Sequence, residues 1–300
     1  MLGTIAARRA RSLREAAGAY LSLTKPRIIS LLLITTVPAM ILAHGGWPSP
    51  WLMLATVAGG AVAAGGANAM NCYFDRDIDG MMLRTQGRPL PSGQIEPERA
   101  AVFGILLGGI GFVTLEAFAN LLAASLTLGA FAFYIVVYTL ILKRTTSLNI
   151  VIGGAAGAMP PVVGWAAVSG EVGLPALVLF GIVVLWTPPH FWALALNHES
   201  DYKRAGIPML PVVLGREETK RHILLHSLAL VAVSLLLPVA GATGVIYLSA
   251  AIVLGGLFLF YAFRLWLSTS TRAATDLFRY SIIYLALLFV AVAVDGLAGA

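Results

Sequence analysis

Asn71 to Pro91 reads NCYFDRDIDGMMLRTQGRPLP, and the reading of this stretch decides how the rest of the chain is understood. An apolar run, Trp51 to Met70, leads into it and is long enough to cross a membrane. Asn71, Asp75 and Asp79 then recur at intervals of four. On a helix such positions share one face, each about 6 Å further along the axis. Two carboxylates and an amide oxygen in a row form a hard, all-oxygen set. Mg²⁺ with waters and phosphate oxygens suits it, whereas Zn²⁺ would call for His or Cys. Gly80, Arg84, Arg88 and Pro89 turn the chain onward into a basic loop. Acid for a metal and base for phosphate thus meet at one membrane edge.

Only 11% of the 300 residues are charged and 59% are hydrophobic. Soluble domains carry about 25% charged residues, so the composition is that of an all-α, polytopic membrane protein with the lipid bilayer as its solvent. A net charge of +6 could suggest nucleic acid, but the placement of the cations follows membrane topology instead. One cysteine, Cys72, excludes an internal disulfide framework and reads as a small buried hydrophobe.

Residues 1–24 form a basic N-terminal segment with Arg8, Arg9, Arg11 and Arg14. It reads as a cytoplasmic, membrane-skimming helix, with an organellar presequence as the other reading. Residues 25–300 read as one transmembrane domain. Lys25 and Arg27 mark its start, and spans are expected at about 28–44, 51–71, 100–118, 121–142, 149–168, 174–196, 223–242, 245–266 and 279–298. Nine spans with the N-terminus inside place every Lys and Arg in inner segments or adjoining helix ends. The outer connections (45–50, 119–120, 169–173, 243–244) carry none.

Acids at membrane depth are costly, so Asp75 and Asp79 point to a functional site. Asp77 faces about 200° away from Asp75 and reads as solvated. Arg84 and Arg88 supply planar forks for phosphate oxygens, or else the ordinary positive charge of an inner loop. Lys143 and Arg144 close the fourth span, where interfacial anchoring is the other reading. Asn149–Trp165, NIVIGGAAGAMPPVVGW, combines small residues that admit a neighbouring helix or a flat ligand with two helix-breaking prolines. His190, within WTPPHFW, is either a core histidine or an axial or edge contact to a metal-bearing ring. Asp201, with Tyr202, Lys203 and Arg204, makes a second acidic site. Two acidic clusters around one pyrophosphate, under an apolar bundle, suit transfer of a greasy group from a diphosphate. His222 and His226 lack a third ligand. A transporter would carry its charges near the midplane rather than at one edge.

The Asn71–Asp79 row resembles the aspartate-rich motif of the UbiA-type intramembrane prenyltransferases. LTKPRI (23–28), NCYFDRDIDGMMLRTQGRPLPSG (71–93), NIVIGGAAGAMPPVVGW (149–165), WTPPHFWALAL (186–196) and DYKRAGIPMLPVVLG (201–215) resemble more narrowly the haem-farnesylating branch. That resemblance implies a helical bundle with a central cavity open to the cytoplasmic side of an inner membrane. It implies Mg²⁺ as cofactor and farnesyl diphosphate and haem b as substrates. Farnesyl C1 would add to a vinyl group of the haem and water would quench the resulting cation, giving haem O. A partnership with haem A synthase fits that product. Asn71, Asp75, Asp79 and Asp201 would hold the metal and diphosphate. Arg84, Arg88, Lys143, Arg144, Asn149, Tyr202 and Lys203 would contact substrate, and His190 and the Gly/Ala-rich span would face the haem. Other branches carry a second D-x-x-x-D near Asp201. Here Asn197 replaces its first acid, with His198 and Glu199 between, which leaves the second metal site open. An enzyme prenylating an aromatic quinone precursor would share the row but not the PPHFW and AGIPMLP segments.

Overall fold

The structure is a computed structural model describing residues 2–299, with side chains at all positions but 2–12, 27, 28 and 30–33. Arg8, Arg9, Arg11 and Arg27 fall outside the described side chains. Among the described residues the chain is helical and no strand forms. Apart from a single turn at Leu210–Val213, the helices in order are α1 (Leu2–Thr24), α2 (Pro26–His44), α3 (Pro50–Phe74), α4 (Arg76–Met81) and α5 (Pro97–Phe118). There follow α6 (Leu121–Thr145), α7 (Asn149–Ser169), α8 (Leu174–Asn197), α9 (Glu199–Arg204), α10 (Gly215–Val239), α11 (Val245–Leu267) and α12 (Thr271–Ala298). Eight of them (α3, α5, α6, α7, α8, α10, α11 and α12) are long and apolar enough to cross a membrane. The expected first span, α2, contributes an apolar stretch over Ile34–His44.

Local signals set the helix starts. Pro26, Pro50 and Pro97 occupy first helical positions, where a missing N–H costs nothing. Asn120 caps α6 by accepting from Ala123 N at 2.8 Å, and its amide also donates to Ala166 O at 2.8 Å. Three helices are irregular inside, α10 by a break at Leu235. Residues Phe133–Leu142 of α6 are π-helical. In α7 the ladder breaks at Ala158, because Pro160 and Pro161 have no N–H to give to the preceding turn.

Two expected boundaries move. α10 starts at Gly215 and α12 at Thr271, rather than near 223 and 279. The added turns are polar, and hydropathy registers only the part of a helix that sits in lipid. Glu217–Lys220 and Glu218–Arg221 pairs at i,i+3 support the wet turns of α10.

The core lies to one side of the bundle, where Trp192, Tyr247, Phe258, Tyr284 and Phe289 are fully buried among α8, α11 and α12. On the other side α3 and α5 approach through glycine. A Cβ on Gly66 would stand 2.5 Å from Gly104 O, and one on Gly111 2.7 Å from Gly59 O. Small residues let helix backbones touch where lipid supplies no hydrophobic drive for association. The outer faces stay apolar and exposed, as at Val102, Ile105, Ile110 and Val113 of α5 and Ile252, Val253, Phe260 and Phe263 of α11. Such a girdle belongs in lipid, and the chain is a multi-pass membrane protein.

Replacing Gly66 with valine should force α3 from α5 and cost about 1–3 kcal/mol, the usual penalty of overpacking. A lowered unfolding temperature in detergent would show it. Gly109→Ala, where an added Cβ meets nothing within 4 Å, should leave that temperature unchanged.

Candidate functional site

The acidic row sits where α3 gives way to α4. Asp75 is the hinge, with φ −92° and ψ 5°, outside the helical region. The i→i−4 bonds nevertheless run through it, Asp75 N to Asn71 O at 2.9 Å and Asp79 N to Asp75 O at 2.8 Å. Asn71, Asp75 and Asp79 therefore keep the common face that their spacing predicts, all three buried. Asn71 Nδ2 donates to Asp75 Oδ2 at 2.7 Å and to Thr139 Oγ1, on the π-helical stretch of α6, at 3.1 Å.

A basic side chain meets each member of the row. Lys25 Nζ donates to Asn71 Oδ1 at 2.8 Å. Lys143 Nζ bonds Asp75 Oδ2. Arg88 Nη1 reaches both Asp79 oxygens, at 2.9 and 2.7 Å. Burial works against the Arg88 charge, but Asp79 prevails and holds the guanidinium above its ordinary range. Lys25 lies below its ordinary value, chiefly because burial penalises the ammonium. Asp75 Oδ1 is buried and accepts no hydrogen bond, the Arg144 guanidinium standing 3.9 Å away. An orphaned carboxylate oxygen beside an amide oxygen and a second carboxylate is a donor set fit for a hard cation. Among the described residues no three His, Cys, Asp or Glu side chains converge. Such a cation would therefore draw further oxygens from its ligand or from water.

The basic loop is not helical past Met81, so Arg84 and Arg88 do not share a helix face. Turns replace the helix, and Thr85 Oγ1 donates to Asp79 O at 2.9 Å to anchor them. The second loop packs against this one. Ile78 and Met82 bury against Tyr202, Ala205, Ile207 and Met209, and Arg84 Nη2 faces Tyr202 Oη at 3.5 Å.

One cavity of about 670 Å³ opens from this edge into the bundle. Lys25, Asn71, Asp79, Arg84, Arg88, Lys143 and Tyr202 line its polar end. Tyr134 and Tyr138, stacked 5.4 Å apart, follow. At the apolar end are Trp186, Thr187, His190 and Phe191 of α8 with Gly153, Gly154 and Gly157 of α7. Gly153 is required here, since its Cβ would stand 2.2 Å from the Tyr138 ring.

Not every expected site residue reaches the cavity. Asp75 is closed off behind Lys143, with no exposure. Arg144 is held outside by Asp77, whose two oxygens it binds at 2.8 and 2.9 Å, and by Phe74 O at 2.8 Å. That hydrogen bond from Arg144 holds the Asp77 carboxyl below its ordinary range. Asp201 and Lys203 lie in the second loop off the cavity wall, and Asp201 meets Arg204 at 3.8 Å. Asn149 is wholly buried beside the wall, with neither side-chain polar atom bonded. Cys72 is a buried free thiol among Ala19, Leu23, Ala69 and Leu90.

Sequence reading passed over three contributors. Lys25 looked like a span anchor, yet its left-handed backbone, φ 53° and ψ 59°, turns it onto Asn71. The Lys-Pro step was the one available sign, because a residue before proline is pushed out of the right-handed helical region. Tyr134 and Tyr138 are ordinary span residues until the π-helix aims both inward. π-Bulges recur at functional sites.

The model of the UbiA prenyltransferase family matches residues 32–291. Protoheme IX farnesyltransferase 1 of Saccharopolyspora erythraea is 56% identical over 289 residues, which cover 95% of this chain and 92% of that protein. Protoheme IX farnesyltransferase of Roseiflexus sp. is 53% identical over 92% of this chain but only 52% of its own length, so this chain spans about half of that relative. Among solved structures, digeranylgeranylglyceryl phosphate synthase superposes with a TM-score of 0.78 at 21% identity, covering 95% of this chain and 99% of that one. A UbiA homolog from Archaeoglobus fulgidus, bound to GPP and Mg²⁺, gives 0.62 at 18% identity, over 91% and 99%. The two structures speak for the fold alone. The family model and the sequence relatives go further, and by them the chain belongs to the UbiA prenyltransferase family.

Proposed function

We propose that this chain transfers the farnesyl group of farnesyl diphosphate to a vinyl group of haem b, giving haem O and diphosphate. The observation that carries the reading is a continuous cavity that joins a charged mouth to an aromatic and glycine-lined interior. Such a cavity suits one substrate that is anionic at one end and apolar at the other, together with a flat second one. The names of the sequence relatives specify which pair.

Asn71, Asp75 and Asp79 would hold Mg²⁺, which neutralises the diphosphate and makes it a better leaving group. Asp201 is the candidate for a further acid from the second loop. The four cations at the mouth, Lys25, Arg84, Arg88 and Lys143, donate to diphosphate oxygens and stabilise the charge that builds as the C1–O bond breaks. The bonding pair leaves with the diphosphate. Tyr134, Tyr138 and the apolar wall exclude bulk water from C1 until the vinyl π-electrons attack it. Water then adds to the cation left on the haem side chain and releases a proton. Arg144, held on Asp77, fixes the α6–α4 junction rather than the substrate, Lys203 is exposed off the cavity wall, and Asn149 is buried beside it.

The cationic edge belongs on the cytoplasmic side of a bacterial inner membrane, with the N-terminus inside, by the positive-inside rule. Outer connections between the observed helices, 45–49, 119–120, 170–173 and 240–244, contain no Lys or Arg. Haem A synthase would take the product.

Purified protein given haem b, farnesyl diphosphate and Mg²⁺ should yield haem heavier by a farnesyl and a hydroxyl group in the mass spectrum. Chelation of the metal should abolish the gain. Unchanged haem beside turnover of an aromatic acceptor would refute the haem assignment and keep the prenyl transfer. Asp75→Asn should lower turnover by at least about 100-fold, the scale on which a preorganised electrostatic contact acts, and should lower the unfolding temperature as well, since Lys143 loses its buried partner, with the helical fold retained by circular dichroism. Lys25→Met removes one charge-assisted bond worth about 1.5–3 kcal/mol. It should raise the KM for farnesyl diphosphate by roughly tenfold or more while the fold persists, as steady-state diphosphate release would report.

A further inference from the structure

His190 is held on every side but one. Its ring stacks between Trp186, centroids 4.3 Å apart and 20° from parallel, and Phe278, at 4.6 Å and 27°. Phe191 meets it edge-on at 5.2 Å. Nδ1 lies 2.7 Å from Ser281 Oγ. Trp186 Nε1 donates to the Ser281 carbonyl at 2.7 Å and locks α8 to α12 at the same point. Side chain and backbone therefore leave the imidazole no freedom to turn.

The hydrogen bonds also decide which nitrogen carries the proton. A serine hydroxyl has one proton to give. Ser281 spends it on Phe278 O, at 2.7 Å. Towards His190, Ser281 Oγ can only accept, so Nδ1 is the protonated nitrogen. Nε2 is then left with a bare lone pair and, among the described residues, makes no hydrogen bond, on a residue 8% exposed that lines the cavity.

We infer that His190 Nε2 is an axial ligand of the iron of the haem substrate. The inference rests on the haem reading above and adds the atom that holds it. Haem b with ionised propionates has no N–H or O–H to donate, because its pyrrole nitrogens are metallated. The one centre on it that accepts a nitrogen lone pair is the iron. The Nδ1–H to Ser281 bond is the outer-shell partner that orients ligating histidines and raises their basicity. Stacking by Trp186 and Phe278 presents the ring edge, rather than its face, to the cavity. Coordination fixes the iron, and with it the porphyrin plane, against the α8 wall. The vinyl edge can then be presented to C1 without any hydrogen bond to the apolar vinyl group. Ser281 is the positioning residue of this arrangement.

The test titrates ferric haem b, and separately metal-free protoporphyrin IX, into the full-length protein in detergent. Absorption and electron paramagnetic resonance spectra are read. The wild type should show nitrogen-ligated iron and should bind haem at least about tenfold more tightly than the metal-free ring, about 1.4 kcal/mol. His190→Ala should lose that spectrum and that preference, and added imidazole should restore the spectrum by filling the space left. Ser281→Ala, which keeps the imidazole, should weaken haem binding by about 10–100-fold, the usual cost of removing a ligand's outer partner. A wild-type spectrum and affinity in His190→Ala would overturn the ligation and leave the haem reading standing. Wild-type protein that binds neither ring while still releasing diphosphate to another acceptor would overturn both. If His190→Ala does not fold, Ser281→Ala with wild-type spectrum and affinity overturns the role given to the pair.

Discussion

Two carboxylates buried at the rim of an apolar bundle are the constraint on which the rest of the structure depends. Taking an ion out of water costs several kcal/mol even after relaxation, and close opposite charge and hydrogen bonding offset that cost. Asp75 and Asp79 meet it with Lys143 and Arg88, and Asn71 joins them to Thr139 and Lys25. The partners come from five separate segments: the α1–α2 junction, α3, α4, the loop after it and α6. Site formation and docking of those segments are thus one event.

The same economy explains the irregular backbone. A straight α6 and a straight α7 would each present a regular ladder of side chains to the cavity. The π-helical stretch of α6 instead brings Tyr134 and Tyr138 to the cavity side, where they stack. Thr139 Oγ1 donates to Tyr134 O at 2.9 Å, five residues back, so the altered ladder stays satisfied in lipid. Opposite it, Gly153 leaves the room that the Tyr138 ring fills, and Gly154 packs on Thr187 of α8. Glycine on α7 and aromatic rings on α6 and α8 are two halves of one shape.

Charge and greasiness are separated along the cavity rather than mixed. Cations gather at the mouth, and the interior is lined by aromatic rings, glycine and one imidazole. Apolar interiors strengthen each electrostatic contact at their edge and keep water from a reactive carbon. The core on the far side, built around Trp192, Tyr247, Tyr284 and Phe289, borders the cavity through Val183, Trp186 and Leu285. Its rigidity gives α8 and α12 the fixed relation that seats His190 against Ser281.

How much of this was legible beforehand follows from the range of the forces involved. Hydropathy and the placement of Lys and Arg determined an all-helical membrane chain and most of its spans, because burial in lipid is a local property of about twenty consecutive residues. The period of four determined that Asn71, Asp75 and Asp79 share a face, and even the hinge at Asp75 leaves those i→i−4 bonds intact. Hydropathy could not see the wet first turns of α10 and α12, which lie beyond the lipid. Nor could it see which cations face the site. Arg144 and Lys143 are neighbours in the chain, yet one is held on Asp77 outside and the other lines the cavity. Lys25 is 46 positions from the asparagine it meets, and Ser281 is 91 from His190. Only tertiary packing brings such pairs within 3 Å, since direction and distance between segments are set by how helices cross, not by the order of residues along them.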